Sequence, residues 1–270
     1  MGNGRGKRRP YENVIMSFVL KFFSVVGSYA EFAGRFFRWL REKPFRQKIF
    51  IEHMSEIGIG STPIILLVSF FTGAVFALQT GYAFRLFNAE TLVGSTVGLS
   101  LTREIAPVFT ALMVIARMGS GMAAELGTMR VTEQMDALES MAVDPFHYLV
   151  VPRVVASVLM VPMLTILFNF VGMVGAYLVA VGLLDISEGP FMSRLEFYVD
   201  AKDLYAGLIK AVIFGFLLAL ICCYQGFHTK NGARGVGLAT TRAVVIASVV
   251  VLVSDYFLTQ WILEFIIKPK

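Results

Sequence analysis

Charge is scarce in this sequence. Only 16% of its 270 residues are Asp, Glu, Lys or Arg, while 56% are hydrophobic. Soluble domains carry about a quarter charged residues, so the balance excludes an ordinary soluble domain and points to a polytopic membrane protein. Cysteine is nearly absent. The two present, Cys222 and Cys223, are neighbours in an apolar run, which is neither a metal-ligand spacing nor a disulfide framework. They read as small apolar filler. The three histidines, His53, His147 and His228, are scattered and belong to no HExxH-like motif, so no metal is expected. Trp occurs twice beside 24 Phe, as suits helices facing lipid. Internal repeats are also missing, although an inverted-repeat carrier would be expected to show one.

Positive charge is concentrated where a membrane surface would use it. The net charge of +5 comes largely from the MGNGRGKRRP run and the RFFRWLREKPFRQK segment. Their Phe and Trp interleaving favours an anionic leaflet over nucleic acid. Between residues 11 and 45, Phe18, Phe22, Val25, Val26, Tyr29, Phe32, Phe36 and Phe37 recur at three- and four-residue steps, and Pro44 stops the run. This predicts an amphipathic helix in the headgroup plane. A signal peptide is the competing reading of RGKRRP followed by VIMSFVLKFFSVVG, but Lys21 interrupts its apolar core.

Five spans follow, over about Ile57–Phe84, Leu92–Gly127, Leu149–Leu184, Leu204–Phe227 and Val236–Ile267. The fold expected is an all-α membrane protein: an interfacial helix, five transmembrane helices, and a short cytoplasmic helix at about 129–143 between the second and third. Two regions result, 1–50 and 51–270. The second span exceeds the bilayer thickness and must tilt, kink at Pro107 or protrude. A polar, slightly amphipathic connector, DISEGPFMSRLEFYVDAKD, joins the third and fourth spans. The bias of Lys and Arg near the span ends places the amino terminus and the 129–152 and 228–235 loops in the cytoplasm, and the carboxyl terminus outside.

Inside these spans lie charges that a structural helix would not carry. At a rise of 1.5 Å per residue, Glu104 lies roughly 15 to 20 Å from the outer end of its span, Lys210 roughly 10 to 12 Å and Asp255 roughly 15 to 20 Å. With Arg103 beside Glu104, two positive and two negative charges fall at one depth. Unpaired ions there are costly, so mutual pairing is expected. Two readings remain: a buried network that specifies helix packing, or a polar spot in a substrate cavity, with Arg103 suited to phosphate. Arg117, Glu125 and Arg242 belong to the inner half, beside a small-residue stripe, Gly119, Ala123 and Gly127, that reads as helix packing.

The segment VTEQMDALESM carries Glu133, Asp136 and Glu139 on one stripe, with Gln134 among them, and Val131, Met135, Leu138 and Met141 on another. A helix of about 12 residues is marginal alone, and anionic lipid repels its acidic face. A docked cytoplasmic partner explains both faces; a solvated connector is the other reading.

LTREIAP, ARMGSGMAAELGTMRVTEQMDAL and MAVDPFHYLVVPR occur together and in order, and GLATTRAVVIASVVVLVSDYFLT follows. On these stretches the chain resembles the MlaE/YrbE family of ABC-transporter permeases from about residue 40 onward. It departs at Ala116, where the family often has Gly before Arg. The resemblance implies a homodimer in the bacterial inner membrane with a periplasmic carboxyl terminus. It also implies a cytoplasmic ABC ATPase contacted through the 129–143 helix (Glu133, Gln134, Asp136, Glu139), a periplasmic MCE-domain ring protein above the dimer, and phospholipid as substrate. Glu104, Lys210 and Asp255 match the family's intramembrane charge cluster, and Arg103 its basic neighbour. No GxxxxGK[ST] loop occurs, so ATP and Mg would sit on the partner ATPase, and the chain needs no cofactor and no catalytic residue of its own. Two other classes stay open on residues alone. One is an ion-coupled carrier using Glu104, Lys210 and Asp255 as a proton relay. The other is a non-transporting scaffold that anchors the ring.

Overall fold

The computed structural model describes residues 10–41 and 47–264, and among them there are helices and short connections but no strand. The basic run before Pro10, the stop at Pro44 and the IIKPK tail lie outside the described residues. The chain divides into two compact units, Met1–Lys43 and Pro44–Lys270. The first holds helix α1 (Pro10–Trp39), on which Leu20, Phe23, Val25, Val26 and Phe37 are exposed.

The second unit contains α2 (Gln47–Arg85), α3 (Glu90–Val131), α4 (Gln134–Ser140), α5 (Phe146–Gly182), α6 (Glu188–Tyr198), α7 (Ala201–Phe227) and α8 (Gly232–Ile262). Five of these, α2, α3, α5, α7 and α8, are long and apolar enough to cross a membrane. The molecule is therefore an all-helical membrane protein with five candidate spans. Helix α2 begins ten residues before the expected span. Lys48, Glu52, His53 and Glu56 lower the hydropathy there, but nothing in QKIFIEHMSE breaks a helix.

The connector between the third and fourth spans is also more ordered than its composition suggests. Its central part forms α6, whose Phe191 is buried. Phe191 and Leu195 lie against Gly94 and Gly98 of α3, where any larger residue would collide with them. Polar composition hid this helix, because one apolar side chain per turn suffices to seat it.

In lipid, helices gain little from hydrophobic burial against each other, so close backbone packing at small residues holds them together. Helices α2 and α5 meet this way: a Cβ on Gly73 would run into the carbonyl of Gly172, and one on Gly175 into the carbonyl of Phe70. Gly73→Val should therefore destabilise the bundle by about 1 to 3 kcal/mol through overpacking. Gly182→Val, with nothing within 4 Å of its Cβ position, is the control. Thermal unfolding of the two detergent-solubilised variants checks this; equal midpoints would refute the close approach.

Candidate functional site

Helix α3 is not uniform. It widens into π-turns at Leu101–Ile105 and Ile115–Gly119. Pro107 supplies no N–H to the turn ahead of it, and the distortion expected at this proline takes the form of the first π-turn. Such wide turns recur at functional sites because they re-aim side chains. Here the turn carries Thr102, Arg103 and Glu104.

Helix α7 meets it with Asp203, Gly207 and Lys210, which share one face at i, i+4 and i+7. A Cβ on Gly207 would collide with the Thr102 carbonyl, so glycine is what lets the π-turn approach. Lys210 Nζ then donates to Glu104 Oε2 at 2.5 Å, to Asp255 Oδ1 of α8 at 3.0 Å and to Thr259 Oγ1 at 2.6 Å. An ammonium has three donors, and all three are used. Lys210 is 2% exposed, Asp255 21% and Glu104 39%. The lysine is sealed, and the open side of the cluster is carboxylate.

Arg103 stands apart from this cluster. Its Nε and Nη2 donate to Asp203 Oδ1 at 2.7 and 2.6 Å. The expected four-residue group with cancelling charge is thus corrected to two sets. One is a neutral Arg103–Asp203 pair; the other is one lysine between two carboxylates. The reason is reach along α7: Asp203 sits two turns before Lys210, and the π-turn points Arg103 toward it. With Nε and Nη2 on Asp203, Arg103 is held beside that carboxylate and outside the Lys210 cluster.

Asp203 and Thr259 were not singled out in the sequence. Asp203 is 3% exposed and also closes the capping box of α7, its Oδ2 accepting from the Asp200 backbone N–H at 2.9 Å. The Asp-x-x-Asp spacing before the apolar run of α7 was the available signal. Thr259 lies one turn after Asp255 on α8, and its hydroxyl contacts Glu104 Oε2 at 3.1 Å and the Asp255 carbonyl at 2.8 Å. Asp203→Asn should cost about 1 to 2 kcal/mol from the weakened cap and lost charge pairing. Arg103→Gln in the Asp203→Asn background should then add little, as a double-mutant cycle of unfolding free energies would read. Additive losses would show that the two side chains act separately.

At the other end of α3, Glu125 pairs with Arg153 of α5 at 2.6 Å. Arg153 is 2% exposed and also donates to the Leu149 carbonyl. It is a buried tie between two spans. The small-residue stripe packs on α7 and the turn after it: Gly119 against Cys222, Ala123 against Gly226 and Gly127 against Thr229 beyond the helix end. Cys222 and Cys223 are buried and unpaired, and Cys222 fills that seam.

The acidic segment is shorter than 129–143. Residues through Val131 continue α3, and α4 covers only Gln134–Ser140. Glu133 breaks the two apart with a φ of 59°, in the left-handed region that costs a non-glycine residue strain. Val131 therefore does not belong to the apolar stripe of α4. Met135 is fully buried, Leu138 half-buried and Met141 exposed. Glu133, Gln134, Asp136 and Glu139 are all exposed; Asp136 accepts from Arg130 at 2.8 Å.

Comparison with known proteins gives a consistent picture. The family model described as permease MlaE matches residues 50–261. A probable ABC transporter permease protein of Rickettsia felis is 41% identical over 241 residues, covering 89% of this chain and 93% of that protein. The intermembrane phospholipid transport system permease protein MlaE of Haemophilus influenzae is 41% identical over 247 residues, again 89% of this chain and 93% of that protein. The chloroplastic protein TRIGALACTOSYLDIACYLGLYCEROL 1 of Arabidopsis thaliana is 36% identical over 214 residues, 79% of this chain and 61% of that protein.

Proposed function

The chain belongs to the MlaE permease family, and from that premise we propose that it is the membrane subunit of an ABC transporter that moves phospholipid between the inner membrane and the outer envelope. The observation that carries this reading is the sealed Lys210 of α7, held between Asp255 and the Glu104 that a π-turn of α3 presents within the spans. Buried charge at such depth is costly and marks substrate pathways. Its open side is the Glu104 carboxylate, 39% exposed. A half-open carboxylate facing hydrocarbon is unfavourable, so a second copy of the chain would enclose this face in a shared cavity. That supports a homodimer with the lipid path between its halves.

Energy comes from a separate cytoplasmic ATPase, with ATP and Mg on that subunit. Its docking element is α4 with the strained Glu133 joint, a short element whose one buried anchor, Met135, ties it to the spans. ATP-driven closure of the partner would push α4, and through α3 would move the π-turn at Leu101–Ile105. On this reading the carboxyl terminus is periplasmic, facing an MCE-domain ring that receives or delivers the lipid.

The test is lipid transfer by the permease–ATPase complex in liposomes carrying fluorescent phospholipid. Transfer should need ATP and be indifferent to a proton gradient. Transfer by the permease alone, driven by a proton gradient, would overturn the reading in favour of an ion-coupled carrier. Assembly of the ring on a permease that moves no lipid would favour a scaffold.

A further inference from the structure

A polar cavity lies in the half of the bundle next to α4. It has a volume of about 380 Å³ and is lined by His53, Glu56 and Gly60 of α2, by Arg117 and Glu125 of α3, and by Arg153 of α5. Counting 1.5 Å per residue from the α4 end of each helix, these groups lie roughly 9 to 20 Å in. Arg117 and Glu104 are about 20 Å apart along α3 by the same rise, so this cavity is distinct from the Lys210 cluster. Its volume falls in the range of small-molecule sites, about 300 to 1,000 Å³.

Both signs of charge line it, and they differ in how they are held. Arg153 is committed: one nitrogen donates to the Leu149 carbonyl and another to Glu125. Arg117 is not. Its guanidinium has no ion pair or hydrogen bond among the described residues, and it lies 3.6 Å from where a Cβ on Gly60 would stand. It sits on the second π-turn, Ile115–Gly119. A Cβ at position 60 would stand in ordinary contact with the fork, so the guanidinium packs over Gly60 where it lines the cavity. Glu56 holds His53 at 3.1 Å yet keeps 52% of its side chain exposed, and Glu125 keeps 54%. The cavity thus offers one unclaimed planar cation and two carboxylates with free lone pairs.

We propose that this cavity binds the headgroup of a zwitterionic aminophospholipid from the leaflet next to α4, with its phosphate on Arg117 and its ammonium between Glu56 and Glu125. A guanidinium fork matches phosphate oxygens two at a time, and a carboxylate pair suits a primary ammonium. An anionic phosphoglycerol headgroup satisfies Arg117 but leaves both carboxylates facing a like charge or a neutral hydroxyl. The proposal rests on the lipid-permease reading and adds a loading site and a headgroup preference to it.

The test places a genetically encoded diazirine amino acid at Met118, which also lines the cavity, in the permease–ATPase complex. The complex is reconstituted in nanodiscs of equal phosphatidylethanolamine and phosphatidylglycerol, and mass spectrometry identifies the lipid adducts after illumination. Phosphatidylethanolamine adducts should exceed phosphatidylglycerol adducts by about five-fold or more, the size expected for one charge-assisted contact. Arg117→Gln should lower the phosphatidylethanolamine adduct about ten-fold by the same reasoning. Glu56→Gln, an exposed change that leaves the packing intact, should bring the two lipids to parity while total labelling persists. Equal labelling of both lipids in the unsubstituted complex would sink the proposal. So would an unchanged preference in Glu56→Gln, or adducts to a second copy of the chain in place of lipid. ATP-driven transfer is measured on the same preparation. Transfer without headgroup preference removes this site and keeps the permease reading; selective labelling without transfer does the reverse.

Discussion

Lys210→Met should destabilise the protein by about 3 to 5 kcal/mol, the cost of stripping a buried charge from its partners. The loss should be largely recovered by neutralising the partners rather than by restoring the lysine. Met keeps most of the side-chain volume, so cavity formation contributes little. What remains is electrostatic: Glu104 and Asp255 both lose their shared counter-charge, and Thr259 loses its donor. Because two carboxylates share the one ammonium, adding Asp255→Asn alone should rescue only in part. Lys210→Met with Glu104→Gln and Asp255→Asn should rescue nearly fully. Unfolding of the detergent-purified protein reads the first half of this prediction. ATP-driven lipid transfer reads the second: the triple variant should remain at least about ten-fold slower, since a neutral cluster can make no charge-assisted contact to substrate. A triple variant that regains both stability and transfer would reduce the cluster to helix packing. A single variant that unfolds like the unsubstituted protein would show that the charges are not paired at all.

Glu104, Lys210 and Asp255 were legible at one depth because depth needs only helix rise and span ends. The partner of Arg103 was not, because depth says nothing about azimuth. The π-turn at Leu101–Ile105 rotates the residues it carries relative to a regular helix, and no sequence periodicity registers that rotation. Asp203 escaped for a related reason. It read as part of a polar connector, whereas it is both the third residue of α7 and the buried acceptor for Arg103. Arg153 sits at the edge of the 129–152 loop in sequence, and nothing in one dimension shows that its guanidinium turns back to Glu125. The five spans themselves were legible, as were the small-residue seam of α3 and α7, because apolar length and four-residue spacing survive any rotation. Helix α6 was not, since its two anchors, Phe191 and Leu195, make one helical step in a polar stretch and set no sustained period.

Reversing charge at the α4 joint should sever the motor. Glu133→Lys with Asp136→Lys should reduce copurification of the ATPase subunit by about ten-fold or more, with membrane insertion and thermal stability unchanged. The stability half follows from geometry. Both side chains are exposed, and the Arg130–Asp136 pair at 2.8 Å is a surface contact worth at most about 1 kcal/mol. Neither substitution touches Met135, which anchors α4 to the spans. Lys at position 133 meets the same left-handed backbone penalty as Glu, so the joint keeps its shape. The neutral pair, Glu133→Gln with Asp136→Asn, separates charge from shape and should fall between the two. Glu139→Lys, on the same exposed acidic surface, should weaken the complex further when added to either. If copurification of the double-lysine variant is undiminished, α4 is a solvated turn and the motor must grip the permease elsewhere. Exposed Lys230, before α8, and Arg234, in its first turn, would then be the charges to reverse next.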